Sequence, residues 1–117
     1  MRADIIRRII RAYDDPIVRA YCWVRFWILR QRFLDEIGQY LPPSGPVLDI
    51  GCGFGLFSLY YAATAPARFI HGIDLNTRRI AMARRAAARL SIENVAYDEG
   101  DARTFKGDGE VAAAYML

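Results

Sequence analysis

The chain has 117 residues, enough for one domain, and its 54% hydrophobic and 25% charged composition is that of a globular protein rather than a disordered one. The formal charge of +3 rests almost wholly on arginine, and so modest and scattered an excess gives no clear nucleic acid signal. Two distant cysteines, Cys22 and Cys52, form neither a metal-binding nor a redox spacing; with no signal-peptide core at the start, they predict a cytoplasmic protein without a metal site.

Ile5, Ile6, Ile9, Ile10 and Tyr13 recur at helical spacing, with Arg2, Arg7, Arg8 and Arg11 between them, and predict a first helix. Asp14-Asp15-Pro16 ends it and starts another, with Asp15 as N-cap and Pro16 at the first helical position. The second helix is expected to run from Pro16 to Tyr40, its first half apolar nearly all round. Trp23, Phe26, Phe33, Leu34, Ile37 and Leu41 fall on one face, broken by Arg30. That face is expected to dock on the domain, with Arg30 finding a carboxylate or carbonyl there, because an unpaired buried charge is costly.

Leu41-Pro42-Pro43-Ser44-Gly45-Pro46 cannot continue a helix. It divides the chain into a helical segment, residues 1–41, and a segment of alternating strands and helices, residues 42–117. Val47 to Ile50 reads as a buried strand and Phe54 to Ala65 as the helix after it. Phe69 to Ile73 is a second strand, and Asn76 caps a helix reaching Leu90. In that helix Ile80, Ala83, Ala87 and Leu90 face inward, and the arginines form a solvated face. Val95 to Tyr97 is a third strand and Val111 to Leu117 a fourth. Alternation at this spacing predicts an α/β, doubly wound parallel sheet.

Ligands of such sheets bind beyond the carboxyl ends of the strands, where the strand order reverses. Three strand ends here carry a glycine or carboxylate signature. In Asp49-Ile50-Gly51-Cys52-Gly53-Phe54-Gly55 the glycines permit a tight turn and let a ligand approach bare backbone, and the following helix offers unpaired N–H groups. Asp74 is placed to accept from two ribose hydroxyls. At Gly100-Asp101-Ala102 a carboxylate and a backbone N–H can read a purine edge. Cys52 occupies a place between glycines that any small residue would fill, and His71, within a strand, is expected to be packed or partly exposed rather than a base.

Taken together, these segments resemble the class I S-adenosylmethionine-dependent methyltransferases. Val47 to Gly55 is similar to their first motif, Gly72-Ile73-Asp74-Leu75 to their second and Gly100-Asp101-Ala102 to their third. The resemblance implies a Rossmann-like fold and S-adenosylmethionine as cofactor. Gly51, Cys52, Gly53 and Gly55 would lie along its methionine portion, with Asp49 holding the ammonium directly or through water. Asp74 and Leu75 would flank the ribose, and Asp101 and Ala102 would select adenine. The reaction implied is methyl transfer to an acceptor, with no catalytic base assigned. The resemblance also implies a seven-stranded sheet with its first strand between the second and fourth. Only four strands are legible here, so the chain is expected to be truncated, marginally stable or self-associating through its incomplete sheet, and inactive alone.

Two other functions compete. A non-catalytic binding or assembly module would keep the same cofactor site. A nicotinamide-dependent oxidoreductase would want glycine where Leu56 stands. Peripheral membrane attachment through the Arg-rich, aromatic N-terminal helices ranks below packing of those helices on the sheet.

Overall fold

A computed structural model of the chain describes residues 2–101, 103 and 113–117. Among these, β1 (Gly45–Ile50), β2 (Arg68–Asp74), β3 (Val95–Glu99) and β4 (Ala113–Tyr115) form one parallel sheet in the order β3-β2-β1-β4. The first strand thus lies between the second and the fourth, in a Rossmann-like α/β arrangement. Residues 111 and 112, at the start of the expected fourth strand, lie outside the described residues. The helices are α1 (Arg2–Arg11), α2 (Pro16–Leu29), α3 (Gln31–Tyr40), α4 (Leu56–Thr64) and α5 (Thr77–Leu90).

The core forms where the two periodicities meet. Val47 and Ile70 of the sheet pack with Leu59 and Tyr60 of α4 and with Ile80, Ala83 and Ala86 of α5, all of them buried. Helix α1 adds Ile6, Ile9 and Ile10, followed by Tyr13, each almost wholly buried, and the helix packs on α4 and α5. Asp15 caps α2 by accepting from the Ile17 N–H at 2.8 Å, and Asn76 caps α5 by accepting from that of Arg79 at 3.1 Å. Each cap satisfies a donor that the helix itself leaves unpaired. Arg68, unmarked by any sequence pattern, is buried and donates to the carbonyls of Leu41, Pro42 and Tyr61, tying the chain after α3 to α4.

Four expectations need correction. The long second helix is two helices, because Arg30 adopts φ 63° and ψ 146° and breaks the hydrogen-bonding ladder between α2 and α3. That break changes the helical phase, so the docking face is not the one read from Pro16–Tyr40. Val18, Cys22, Leu34 and Leu41 are buried and Phe26, Leu29 and Ile37 partly so, whereas Trp23 and Phe33 are 39% and 44% exposed. Arg30 is itself exposed and lies over the Trp27 ring at 5.1 Å, so burial imposes no need for a carboxylate. The α5 arginines are exposed, yet three of them reach the α1–α2 turn. Arg78 pairs with Asp15 at 3.0 Å, Arg85 with Asp14 at 3.4 Å, and Arg89 donates to the Ala12 carbonyl at 2.6 Å.

The Arg30 backbone is a region that glycine enters freely and other residues enter at a cost. Arg30→Gly is therefore expected to raise stability by about 1 kcal/mol despite losing the exposed cation–π contact. The urea midpoints of the two chains check this.

Candidate functional site

The strand order reverses between β1 and β4, and a cleft of about 210 Å³ opens where β1 ends. Its wall includes Asp49 at the end of β1 and Gly51, Cys52, Gly53 and Phe54 of the following turn. Gly53 has φ 58°, and a Cβ built on it would meet nothing within 4 Å, so bare backbone faces open space there. Gly55 is different: a Cβ would stand 2.6 Å from the Tyr97 hydroxyl oxygen and 3.0 Å from the Ala83 Cβ. The first glycine leaves open space beside bare backbone, and the second admits α5 and β3 to the back of the turn.

Asp74 ends β2 beside the turn. One carboxylate oxygen accepts from the Gly53 N–H at 2.9 Å and the other from the Asn76 N–H at 2.8 Å. The first and second strand ends are thereby locked together, and each oxygen keeps acceptor capacity for a ligand hydroxyl. The main chain continues the link, since the Gly100 N–H donates to the Asp74 carbonyl at 3.0 Å. Asp101 follows, and receives the Arg103 guanidinium at 2.7 Å, which helps hold its carboxyl below the usual range. Leu75, next to Asp74 in the chain, is 74% exposed, and Ala102 lies outside the described residues.

The N-terminal helices complete the cleft. Tyr13, in the turn after α1, donates its hydroxyl to the Phe54 carbonyl at 2.6 Å. Tyr21 of α2 meets the Phe54 ring edge-on at 5.6 Å between centroids. Arg25 of α2 stands over Phe57 and Arg79 of α5 over Phe54, and both arginines line the cleft. Tyr21 belongs to an aromatic set, with Trp23, Phe26 and Trp27, that the sequence offers as packing with part of it able to cover a cofactor; Arg25 and Arg79 were not singled out as site residues, because only the tertiary fold brings their helix faces to the β1 end.

Asp49 is 3% exposed, and the Tyr115 hydroxyl, opposite it in the β1–β4 register, donates to its Oδ2 at 2.9 Å. Burial raises its pKa from 3.8 to about 7; the Tyr115 hydrogen bond offsets part of the rise and the Asp74 charge adds to it. The folded protein therefore favours protonated Asp49. The resulting stabilisation is complete below the unfolded pKa near 4 and is lost as the pH rises through 7, a difference on the order of 4 kcal/mol. Asp49→Asn, which keeps an acceptor for Tyr115, is expected to remove this dependence. Urea unfolding at pH 5 and pH 8 should show the wild-type chain losing stability relative to the variant.

Cys52 lies beside Asp49, and burial together with the Asp49 and Asp74 carboxylates pushes its thiol well above the usual range, which disfavours a thiolate nucleophile. His71 is half-buried and shares a 2.7 Å hydrogen bond with Asp98, a residue of β3 on its exposed side. It is absent from the cleft wall.

A parallel sheet with a glycine turn at its switch point and carboxylates at successive strand ends defines an α/β protein that receives its ligand at the strand carboxyl ends. Within that class the chain belongs to the methyltransferase domain family, whose model matches residues 47–117. It is 27% identical over 89 residues to ribosomal RNA small subunit methyltransferase G of Beutenbergia cavernae, covering 76% of this chain and 42% of that protein. Among solved structures it is similar to a SAM-dependent methyltransferase of Thiobacillus denitrificans in complex with S-adenosyl-L-homocysteine, at 27% identity and a TM-score of 0.64. That match covers 75% of this chain and 36% of the other. It is also similar to the [4+2]-cyclase SpnF, at 28% identity and a TM-score of 0.64, with 71% of this chain and 32% of that one covered. The chain thus spans less than half the length of each of these proteins.

Proposed function

We propose that residues 42–117 form the part of a methyltransferase domain that binds S-adenosylmethionine, with the helices of residues 1–41 supplying one wall of the cleft. The observation that carries this reading is the chemistry of the cleft lining as a whole. A buried carboxylate, Asp49, and two guanidiniums, Arg25 and Arg79, surround bare backbone at Gly51 and Gly53. Together they complement the ammonium and carboxylate of a free α-amino acid end. Cys52 lines the same wall, and Gly55 keeps the turn close to α5. Asp74, with Leu75 next to it in the chain, would take the ribose hydroxyls, and the Asp101–Ala102 segment would select adenine. The cleft, smaller than the roughly 300 Å³ at which ligand pockets begin, fits the amino-acid end and leaves the nucleoside along the strand ends.

When bound, S-adenosylmethionine supplies a methyl group on a sulfonium, already activated toward a nucleophile. What these residues contribute is orientation and the exclusion of water around that group. The unpaired thiols of Cys22 and Cys52 support a reducing compartment and hence a cytoplasmic place of action. Binding of a cation next to Asp49 favours its ionised form, so association should release a proton below pH 7. Calorimetry with S-adenosylhomocysteine and, separately, with a nicotinamide dinucleotide tests the reading. Binding of the first alone supports it, and binding of the second alone overturns it.

One observation favours a second reading, a fold that binds the same cofactor without transferring its methyl group: a matched structure of this fold is a [4+2]-cyclase. Mass-spectrometric detection of methylated products formed in the presence of S-adenosylmethionine would separate the two.

A further inference from the structure

Helix α2 turns an apolar face outward. Ile17, Ala20, Tyr21, Trp23, Val24, Trp27 and Ile28 lie within an arc of about 160° at 100° per residue, and all seven are exposed, the larger ones between 39% and 79%. The opposite side, with Val18 and Cys22, is the one buried in the domain. Apart from the Tyr21 hydroxyl and the two indole N–H groups, the outward arc carries no polar side-chain group. Arg19 and Arg25 flank it, Arg19 donating to the Tyr13 carbonyl at 2.7 Å and Arg25 lining the cleft, and Arg30 lies over Trp27 at its end.

Charge is distributed in the same way. Residues 16–34 hold four arginines, Arg19, Arg25, Arg30 and Arg32, and no acidic residue; against the total of +3, the rest of the chain therefore sums to −1. Both tryptophans of the chain are on this face as well. A helix whose exposed side is apolar and aromatic, with arginines along its borders, is suited to the boundary between water and lipid. There indoles sit at the headgroup level and guanidiniums meet phosphates. A protein partner would ordinarily need about one hydrogen bond per 100–200 Å², and this arc offers few groups to make them. No helix among the described residues is long and apolar enough to cross a membrane, so the contact is one of surface attachment.

We propose that the outward face of α2 is a docking surface for an anionic lipid bilayer. The helix lies in the interface, with Trp23, Val24, Trp27 and Ile28 entering the lipid and the exposed Arg30, over Trp27, at the phosphates. Tyr21 belongs both to this face and to the cleft wall, so attachment brings the mouth of the cleft to within one side chain of the lipid surface.

Co-sedimentation of the full chain with phosphatidylcholine vesicles, with and without an equal part of phosphatidylglycerol, tests the proposal. Binding to the anionic vesicles is expected to exceed binding to the neutral ones by about tenfold at low salt and to fall as salt is added. Tryptophan emission should shift to the blue on binding. The double substitution Trp27→Ser/Ile28→Ser, at exposed positions outside the cleft, should cut vesicle binding about tenfold while leaving the circular dichroism and S-adenosylhomocysteine affinity unchanged. Three results would overturn it: no binding to anionic vesicles, undiminished binding by the double variant, or a dimer at sedimentation equilibrium that the same substitutions dissolve. The last would assign the face to a second copy of the chain.

Discussion

Gly55→Ala is expected to lower the stability of the chain by about 3 kcal/mol, a loss composed of two terms. The backbone at this position has φ 84°, where a Cβ costs roughly 1–2 kcal/mol. The new methyl group would also stand 2.6 Å from the Tyr97 hydroxyl oxygen. Tyr97 cannot move away cheaply: it is buried, and its hydroxyl shares a 2.7 Å hydrogen bond with Ser58, which in turn donates to the Gly55 carbonyl at 3.0 Å. Overpacking of this kind costs a further 1–3 kcal/mol or so. Gly53→Ala makes the control, because its added methyl meets only the strained φ and open space. The urea midpoint should fall by about 2 M for Gly55→Ala and by roughly half as much for Gly53→Ala. Equal shifts in the two would remove the tertiary term from the account.

The second large effect concerns ligand binding. Asp74→Ala is expected to weaken S-adenosylhomocysteine binding by about 2–3 kcal/mol, or some 30- to 150-fold, since hydrogen bonds to a charged acceptor are lost. The structure adds a second route to the same loss. Asp74 also accepts from Gly53 and Asn76, so its removal frees the glycine turn and the start of α5. Asn76→Ala separates the routes, because it loosens the α5 cap without touching the Asp74 carboxylate. A large loss for Asp74→Ala with a small one for Asn76→Ala would place the effect at the Asp74 carboxylate and the turn it holds, not at the α5 cap. Equal losses would show that Asp74 acts only by holding the start of α5.

Much of this architecture was legible because each feature rests on local chemistry. Asp15 and Asn76 announce their helices through capping, and the short apolar runs of Val47–Ile50 and Phe69–Ile73 announce strands. The break at Arg30 was not legible, since nothing in Ile28-Leu29-Arg30-Gln31-Arg32 marks a stop. A non-glycine residue at positive φ is a tertiary imposition on a sequence that would otherwise propagate the helix. The outward face of α2 was misread for a related reason: a helix apolar on all sides has no preferred face in its sequence, and only the fold shows which side is left uncovered. In the cleft, the acids and glycines were visible as motifs. Tyr115 opposite Asp49 depends on a β1–β4 register that no local pattern fixes, and Arg25 and Arg79 come from helices far apart in the chain.

The central claim is that the ends of β1, β2 and β3 together hold S-adenosylmethionine. Titration of the isotopically labelled chain with S-adenosylhomocysteine, followed by backbone amide NMR, tests it residue by residue. The predicted result is saturable shifts concentrated at Gly51 to Phe54, Asp74 to Asn76, and Gly100 with Asp101, and none at Trp23, Val24, Trp27 and Ile28. A folded chain whose amides at these three strand ends stay unmoved at saturating ligand would contradict it.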